Sequence, residues 1–432
     1  MATIEYLAFE GGGGKGAAYL GALKYLKDIG FLRFNEPKSG TNEKRRLDPI
    51  CIKGISGSSA GAITAVLLAS GHNCDDIYNI LLDTKRFEGI YKDTHRDQIP
   101  VIFSRRGKDS LKLNLLKMLK NNSKDQAPYY FSNKTYLLIN LIKRMRDIYD
   151  SSLFGIRNVS KESGEFLKES FFYALNSLYF DLGILDGETV REIIRERLGI
   201  QFGDSNITFA QMHEETHIHL RITGTCINTA ETIWFDHLGV WKNMAVADAV
   251  RISISVPLIF KPVAITYDAP DLNRGTGTGF LFADGGILNN APIHAFNFPG
   301  KPMPIGKCEA MLMNSAKTHN FDRGQLNKNI LLIRLDVEKI PEIIGIDSYL
   351  PSLLNAVTSL SETSQLLSHE EIAQTITLST DGLSTLDFII SSGTKDDPKK
   401  TAKDKLDEFI KRSYKEMEDG LRKTPFMPEN IV

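Results

Sequence analysis

Residues 50–61 read Ile50-Cys51-Ile52-Lys53-Gly54-Ile55-Ser56-Gly57-Ser58-Ser59-Ala60-Gly61, and Ala62-Ile63-Thr64-Ala65-Val66-Leu67-Leu68-Ala69-Ser70-Gly71 follows. The opening run, 50–55, is short and apolar, which reads as a buried strand. Ala62, Ile63, Ala65, Val66, Leu67 and Leu68 then read as a helix, and Gly71 is placed to stop it. Between them lies Gly57-x-Ser59-x-Gly61. A serine at a sharp strand-to-helix turn stands above the carboxyl edge of a sheet, and flanking glycines let neighbouring backbone approach. The helix start favours negative charge nearby. Ser56 and Ser58 are rivals, but only Ser59 has a glycine two residues away on both sides. A small-residue turn packing a helix on a sheet is the plain alternative.

The same rhythm opens the chain. Ile4 to Phe9 reads as a strand. Gly11-Gly12-Gly13-Gly14-Lys15-Gly16 follows, and then Ala17, Leu20, Ala22, Leu23 and Leu26 recur at helical spacing up to Gly30. Strand, glycine turn and helix, twice over, predict an α/β sheet flanked by helices. A glycine nest at a helix start aims backbone N–H groups at one spot, which suits an anion or an oxyanion. The nest also contains G-x-G-x-x-G, so a dinucleotide site is a rival reading. A P-loop does not fit, because no G-x-x-x-x-G-K-[ST] is present. A third motif, Asp284-Gly285-Gly286, follows the apolar run Gly279 to Ala283. It reads either as a carboxylate at a strand end or as an Asp-Gly β-turn.

Elsewhere the pattern changes. Leu111 to Leu119, Tyr136 to Tyr149 and Phe166 to Leu178 read as helices in an insertion over about 75–200. Strands resume at His217 to Cys226, Thr232 to Asp236, Gly279 to Ala283 and Ile330 to Val337. The region 341–432 reads as helical, packed on or extending a catalytic domain over 1–340. Its charged stretch Asp396 to Glu418 reads as a solvated surface helix.

Composition excludes little but is informative. The 432 residues are 42% apolar and 24% charged, with a formal net charge of -1, so nothing global points to nucleic acid. Cys51, Cys74, Cys226 and Cys308 form no CxxC, which fits a reduced compartment better than a disulfide framework. The first residues lack a basic segment followed by an apolar stretch, and position 2 is not glycine, so neither a Sec-type signal nor myristoylation is expected. No apolar run approaches the roughly 18–20 residues that span a bilayer. The expected location is cytoplasmic or at a membrane surface, with delivery by a non-Sec route still compatible.

Taken together, the three motifs supply a nucleophile, a base and an oxyanion stabiliser, which is what acyl transfer requires. With Arg251-Ile-Ser-Ile-Ser-Val-Pro257-Leu-Ile-Phe260-Lys-Pro262 and Asp284-Gly-Gly-Ile-Leu-Asn-Asn290-Ala-Pro292 added, the chain resembles the patatin-like phospholipases over about residues 4–295. The likeness is weaker in the insertion and returns faintly at 381–388. It departs at Glu10, where the family usually carries Asp or a small residue. The resemblance implies a three-layer patatin-like α/β sandwich with a central mainly parallel sheet. It also implies a Ser59–Asp284 dyad with no histidine, and an oxyanion hole from Gly11, Gly12, Gly13 and Gly14. Lys15, Gly16, Gly57, Gly61, Gly285 and Gly286 support those motifs.

The implied activity is hydrolysis of fatty-acyl esters through an acyl-enzyme, phospholipase A first, with triacylglycerol lipase or lysophospholipase as alternatives. No cofactor or metal is required. The implied partners are an acyl-ester lipid and a membrane surface, with any activator unknown. A catalytically silent interaction module and a nucleotide-binding oxidoreductase are readings of other classes. The oxidoreductase needs an acidic ribose ligand after the second strand, where Gly54 to Gly61 stands instead.

Three further features compete. His294, His319 and His369 lie downstream of Asp284, where a Ser-His-Asp triad would place its histidine, but no distinctive motif surrounds them. His213-Glu214-Glu215-Thr216-His217 spells H-E-x-x-H, which binds zinc only when both histidines share a helix face. The alternation from His217 to Ile222 instead reads as the start of a strand. Arg105-Arg106-Gly107-Lys108 with Leu111, Leu113, Leu115, Leu116 and Leu119 reads as a membrane-docking stretch or, more simply, as a loop and a packed helix. Lys143, Arg144 and Arg146 carry the same two readings.

Overall fold

The structure is a computed structural model, and it describes residues 3–37, 43–83, 177–178, 181–265, 280–312, 324–336, 368–380, 383 and 401–426. The chain divides into two compact units, one formed by Met1–Lys92 with Gly187–Val432 and the other by Asp93–Asp186. The described part of the second unit holds one strand, Gly183–Leu185, where the Ser177 hydroxyl donates to the Gly183 carbonyl at 2.6 Å. The expected helices Leu111 to Leu119 and Tyr136 to Tyr149, most of Phe166 to Leu178, and the basic stretches at 105–108 and 143–146 lie outside the described residues.

The first unit is built on an eight-stranded sheet. Its strands are β1 (Tyr6–Phe9), β2 (Gly54–Gly57), β3 (His219–Cys226), β4 (Glu231–Phe235), β5 (Val263–Ile265), β6 (Phe280–Asp284), β7 (Ile330–Asp336) and β8 (Thr375–Ser379). β8, β7, β1, β2 and β3 run parallel in that order. β4 and β6 pair antiparallel with β3, and β5 pairs antiparallel with β6. The fold is therefore α/β with a mainly parallel central sheet. β1 and β2 are buried at every position, as strands covered on both faces must be.

Alternation along β1 sends Leu7 and Phe9 to one face and Tyr6 and Ala8 to the other. Tyr6, Ala8, Ile330 and Leu332 pack against Ala291, Ile293 and Phe296. The other face carries helices. Those positioning the site are α1 (Tyr19–Asp28), α2 (Ala60–Ala69), α3 (Glu188–Phe202), α4 (Val246–Ser253) and α5 (Ala402–Leu421). α2 is apolar all round, as a helix enclosed by others must be; nine of its ten residues are buried.

The tail differs from expectation in two ways. It is not purely helical, because β8 extends the sheet beside β7. Nor is α5 a solvated surface helix: Leu406, Phe409, Met417 and Leu421 are buried. The apolar stripe is sparse, but it faces α1 at a close crossing. A Cβ on Gly21 would lie 2.3 Å from the Ile410 carbonyl.

The amino end of β3 carries a buried charge cluster. Arg221 is fully buried and donates to Asp236 at 2.8 Å, to the Lys301 carbonyl at 2.6 Å and to the Ala295 carbonyl. Burial alone would raise the Asp236 carboxyl, but His219 and Arg221 outweigh it and hold it well below the usual carboxylate range. Burial pushes His219 down to about 4 and His237 down to about 3, so both are neutral at pH 7. His213 stacks on His237 at 3.6 Å. His217 takes a left-handed conformation (φ 56°) after the helix Phe209–Thr216 ends, so the H-E-x-x-H histidines do not share a helix face.

Removing Arg221 would leave the Asp236 charge buried and unpaired. Arg221→Ala should lower stability by about 3–5 kcal/mol, measured as the urea midpoint at pH 7. An unchanged midpoint would contradict the role given to this pair.

Candidate functional site

The site is created by strand register. Ile222 of β3 pairs with Gly57 of β2 and with Phe235 of β4, so β2 and β4 lie on opposite edges of β3. Cys226 pairs with Glu231 of β4 and with Phe282 of β6, so β6 also lies opposite β4. β2 and β6 therefore share one edge of β3, carboxyl end to carboxyl end. Gly57 sits opposite Ile222 and Asp284 opposite Gly224, leaving one residue, Thr223, between them. At about 3.3 Å per residue, the two strand ends meet within about 7 Å.

The chain must turn away where it meets β6, and it does so at Ser59. Ser59 has φ 49° and ψ -119° at the N-cap of α2. Such a conformation costs a non-glycine residue of order 1–3 kcal/mol. The turn is tight enough that a Cβ on Gly61 would lie 2.3 Å from the Phe9 carbonyl, and one on Gly57 would lie 2.2 Å from the Gly61 carbonyl. The spacing of the G-x-S-x-G motif thus has a steric cause on both sides of the serine.

Asp284 ends β6 with its side chain on the helical face, toward Ser59. It is 1% exposed. Its Oδ1 accepts the Gly286 N–H at 2.6 Å. Oδ2 is buried without a full hydrogen bond, and the Ser59 hydroxyl is the side chain that interacts with the carboxyl. That contact falls short of a full hydrogen bond. Burial pushes the Asp284 carboxyl up to about 7, against the smaller opposing effects of Gly286 N–H and the Ser59 hydroxyl. Gly285 permits the contact with β3, since a Cβ there would lie 2.1 Å from Thr223 Oγ1.

The glycine loop completes the site, with one change from expectation. The Gly11 N–H donates to the Asn290 carbonyl at 3.0 Å, so it is committed to the scaffold. What Gly11 provides is closeness: a Cβ there would lie 3.0 Å from Ser59 Cβ. The loop turns through Gly13 (φ 56°) into a 3-10 helix over Gly13–Ala18. The N–H groups of Gly12, Gly13 and Gly14 have no backbone acceptor among the described residues. The N–H of Ala60, at the start of α2, is in the same condition; the sequence reading did not single it out.

Asn290 and Glu10, which the sequence marked only as parts of the resemblance, are also contributors. Asn290 Nδ2 donates to Glu10 Oε1 at 3.4 Å and to the Gly11 carbonyl at 3.3 Å. Glu10, 1% exposed, accepts the Leu335 N–H at 2.6 Å and lies 3.5 Å from Arg334 Nε. The longer side chain at position 10 therefore ties the loop to β7 as well as to Asn290.

Among the described residues no histidine hydrogen-bonds to Ser59 or Asp284. His294 instead lies 2.8 Å from Glu371 and 2.9 Å from Asn297. His369 begins the short helix His369–Ala373, and His319 lies outside the described residues. Two open cavities, of about 650 and about 540 Å³, lie around Lys44 and Gln201 near the far end of α2; neither includes Ser59 or Asp284.

The family model for patatin-like phospholipase matches residues 7–297. The chain belongs to the patatin-like phospholipase family. That span runs from β1 through the turn after Asp284 and holds all three motifs. A similar protein is the uncharacterized protein R571 of Acanthamoeba polyphaga mimivirus, 26% identical over 294 residues, which are 68% of this chain and 62% of that protein. Among solved structures, VipD from Legionella pneumophila is 18% identical with a TM-score of 0.38, over 96% of this chain and 66% of that one. ExoU in complex with SpcU from Pseudomonas aeruginosa is 18% identical with a TM-score of 0.32, over 98% and 52%. This patatin-like chain thus spans about half to two thirds of the length of these relatives.

The raised carboxyl has a stability consequence. Wild-type protein binds the Asp284 proton more tightly when folded, so this group favours the fold most below pH ~4. That contribution is lost as pH rises to about 7. Asp284→Asn carries no such charge. Its urea midpoint should therefore gain on wild type steadily from pH ~4 to about 7 and then run parallel. A difference independent of pH would contradict the burial of an ionising carboxyl here.

Proposed function

We propose that this protein hydrolyses fatty-acyl esters of lipids, phospholipids first, through a Ser59–Asp284 dyad. The observation that carries the proposal is the pairing of a strained serine with a buried carboxyl raised to about 7. A carboxylate near its usual value of about 4 would be a weak base toward a serine hydroxyl. One near neutrality accepts a proton and can return it at working pH.

Asp284 takes the proton from Ser59 Oγ as that oxygen attacks the ester carbonyl carbon. The carbonyl oxygen becomes an anion, facing the N–H groups of Gly12, Gly13 and Gly14 and the start of α2. Collapse of this intermediate breaks the ester C–O bond, and the departing alcohol oxygen takes the proton from Asp284. The acyl group is now on Ser59. Asp284 then removes a proton from water, which attacks the acyl carbonyl and releases the fatty acid as Ser59 regains its proton. Each step uses groups of this chain and needs no further cofactor.

The proposed substrate surface is a membrane approached from one side. No described helix is long and apolar enough to cross a bilayer. Phospholipase A activity is favoured over triacylglycerol lipase and lysophospholipase by the family alone, and product identity decides among them.

Full-length wild type and Ser59→Ala should be incubated with mixed lipids and the released products identified by mass spectrometry. Wild type should release free fatty acid, with lysophospholipid as the co-product. Ser59→Ala should release at least about a thousandfold less, the scale at which loss of a nucleophile acts. The wild-type rate should rise about tenfold per pH unit below about 7 and level off above it. Equal release by Ser59→Ala would sink the proposal.

A further inference from the structure

Ser59 and Asp284 are 225 positions apart in sequence by their numbers, yet both are bonded through their backbones to one short stretch, the end of α4. The Ser59 N–H donates to Ser253 Oγ at 2.9 Å. The Asp284 N–H donates to the Ser255 carbonyl at 3.0 Å, and the Gly285 N–H to the Ser253 carbonyl at 3.4 Å. Ser253 and Ser255 are both fully buried. We propose that Ser253 is a positioning residue for the dyad, holding the Ser59 peptide in the orientation that directs its hydroxyl at Asp284. This inference rests on the reading of Ser59 as the nucleophile.

The need for such a residue follows from the turn. Ser59 is the N-cap of α2, so its own N–H lies outside the helical ladder. β2 has already ended at Gly57, so the sheet offers no acceptor either. A buried N–H must find a partner, and Ser253 Oγ supplies it from another helix. The Ser59 carbonyl is fixed separately, by the N–H groups of Ala62 at 2.9 Å and Ile63 at 3.3 Å. The preceding peptide is fixed by the Ser58 N–H, which donates to the Phe9 carbonyl at 3.2 Å.

The peptide between Ser58 and Ser59 is held at both ends: the Ser58 carbonyl accepts the Ala62 N–H at 3.3 Å, and the Ser59 N–H makes the shorter bond, to Ser253 Oγ at 2.9 Å. That peptide sets the unfavourable φ of 49°. Without the Ser253 oxygen the N–H seeks another acceptor, the strain relaxes, and the serine oxygen swings off line. Misplacement of a reacting atom by about 1 Å can cost a hundredfold in rate.

Ser255 provides a matched comparison. It is equally buried and two residues away. Its hydroxyl accepts from Arg251 Nη1 at 2.6 Å and donates to the Arg251 carbonyl at 2.8 Å, without touching Ser59. The contact with Asp284 uses the Ser255 backbone carbonyl, which a side-chain substitution keeps.

The test uses the purified full chain and a fluorophosphonate that labels reactive serines, with the labelled position found by peptide mass spectrometry. Ser253→Ala should slow labelling of Ser59 and lower kcat by about tenfold to a hundredfold. KM and the pH midpoint should stay as in wild type, because neither substrate contact nor the Asp284 environment has changed. Ser253→Thr, which keeps the hydroxyl, should recover most of the rate. Ser255→Ala should stay within about threefold of wild type even where its thermal midpoint falls as far as that of Ser253→Ala. Two results would overturn the proposal: wild-type labelling in Ser253→Ala, or an equal loss in Ser255→Ala. If wild-type Ser59 takes no label, the nucleophile assignment itself fails, and this inference with it.

Discussion

Two strands of this protein end against each other on a single edge of a third. β2 arrives at Gly57 and β6 at Asp284, with Thr223 of β3 between their registers. Neither strand can continue. One chain folds back into α2 through a strained serine, and the other turns through two glycines. The proposed dyad is thus a product of sheet topology as much as of motif. A parallel strand supplies the serine and an antiparallel strand supplies the carboxylate, so the two groups approach head-on along one line.

The same geometry explains the electrostatics. A carboxyl at the meeting point of two strands, under α2 and α4, is out of reach of water. Burial favours its neutral form, which raises its pKa toward the range where it can exchange protons at neutral pH. Elsewhere the protein buries carboxylates differently. Asp236 has Arg221 and His219 against it and stays ionised. Glu10 has Asn290, Arg334 and the Leu335 N–H. Asp284 has one backbone N–H and a serine hydroxyl, fewer partners than either of these two.

Much of this was legible in the sequence because it is local. Gly57, Ser59 and Gly61 must occupy one turn, and steric closeness dictates their identities, so the elbow shows in five residues. The same holds for Asp284-Gly285-Gly286. The alternating run after His217 correctly signalled that the helix ends before the second histidine of H-E-x-x-H. What was illegible depends on distant partners. Nothing in the run of Gly11 tells that its N–H is taken by the Asn290 carbonyl, because that bond crosses 279 positions of chain. Ser253 stood inside a quoted stretch, but its role appears only when α4 is laid beside α2. The charged tail read as solvated because its apolar stripe is thin; α5 packs nonetheless, because Gly21 lets α1 come close.

The central claim is that Asp284 is neutral in acid and becomes a base near neutrality because the sheet buries it. Carbon-13 NMR of protein labelled at aspartate side-chain carboxyls reads this directly, with the Asp284 signal assigned by its loss in Asp284→Asn. The account predicts a titration midpoint near about 7 for that signal. A carboxyl already ionised at pH ~5, as an unperturbed aspartate would be, would contradict it.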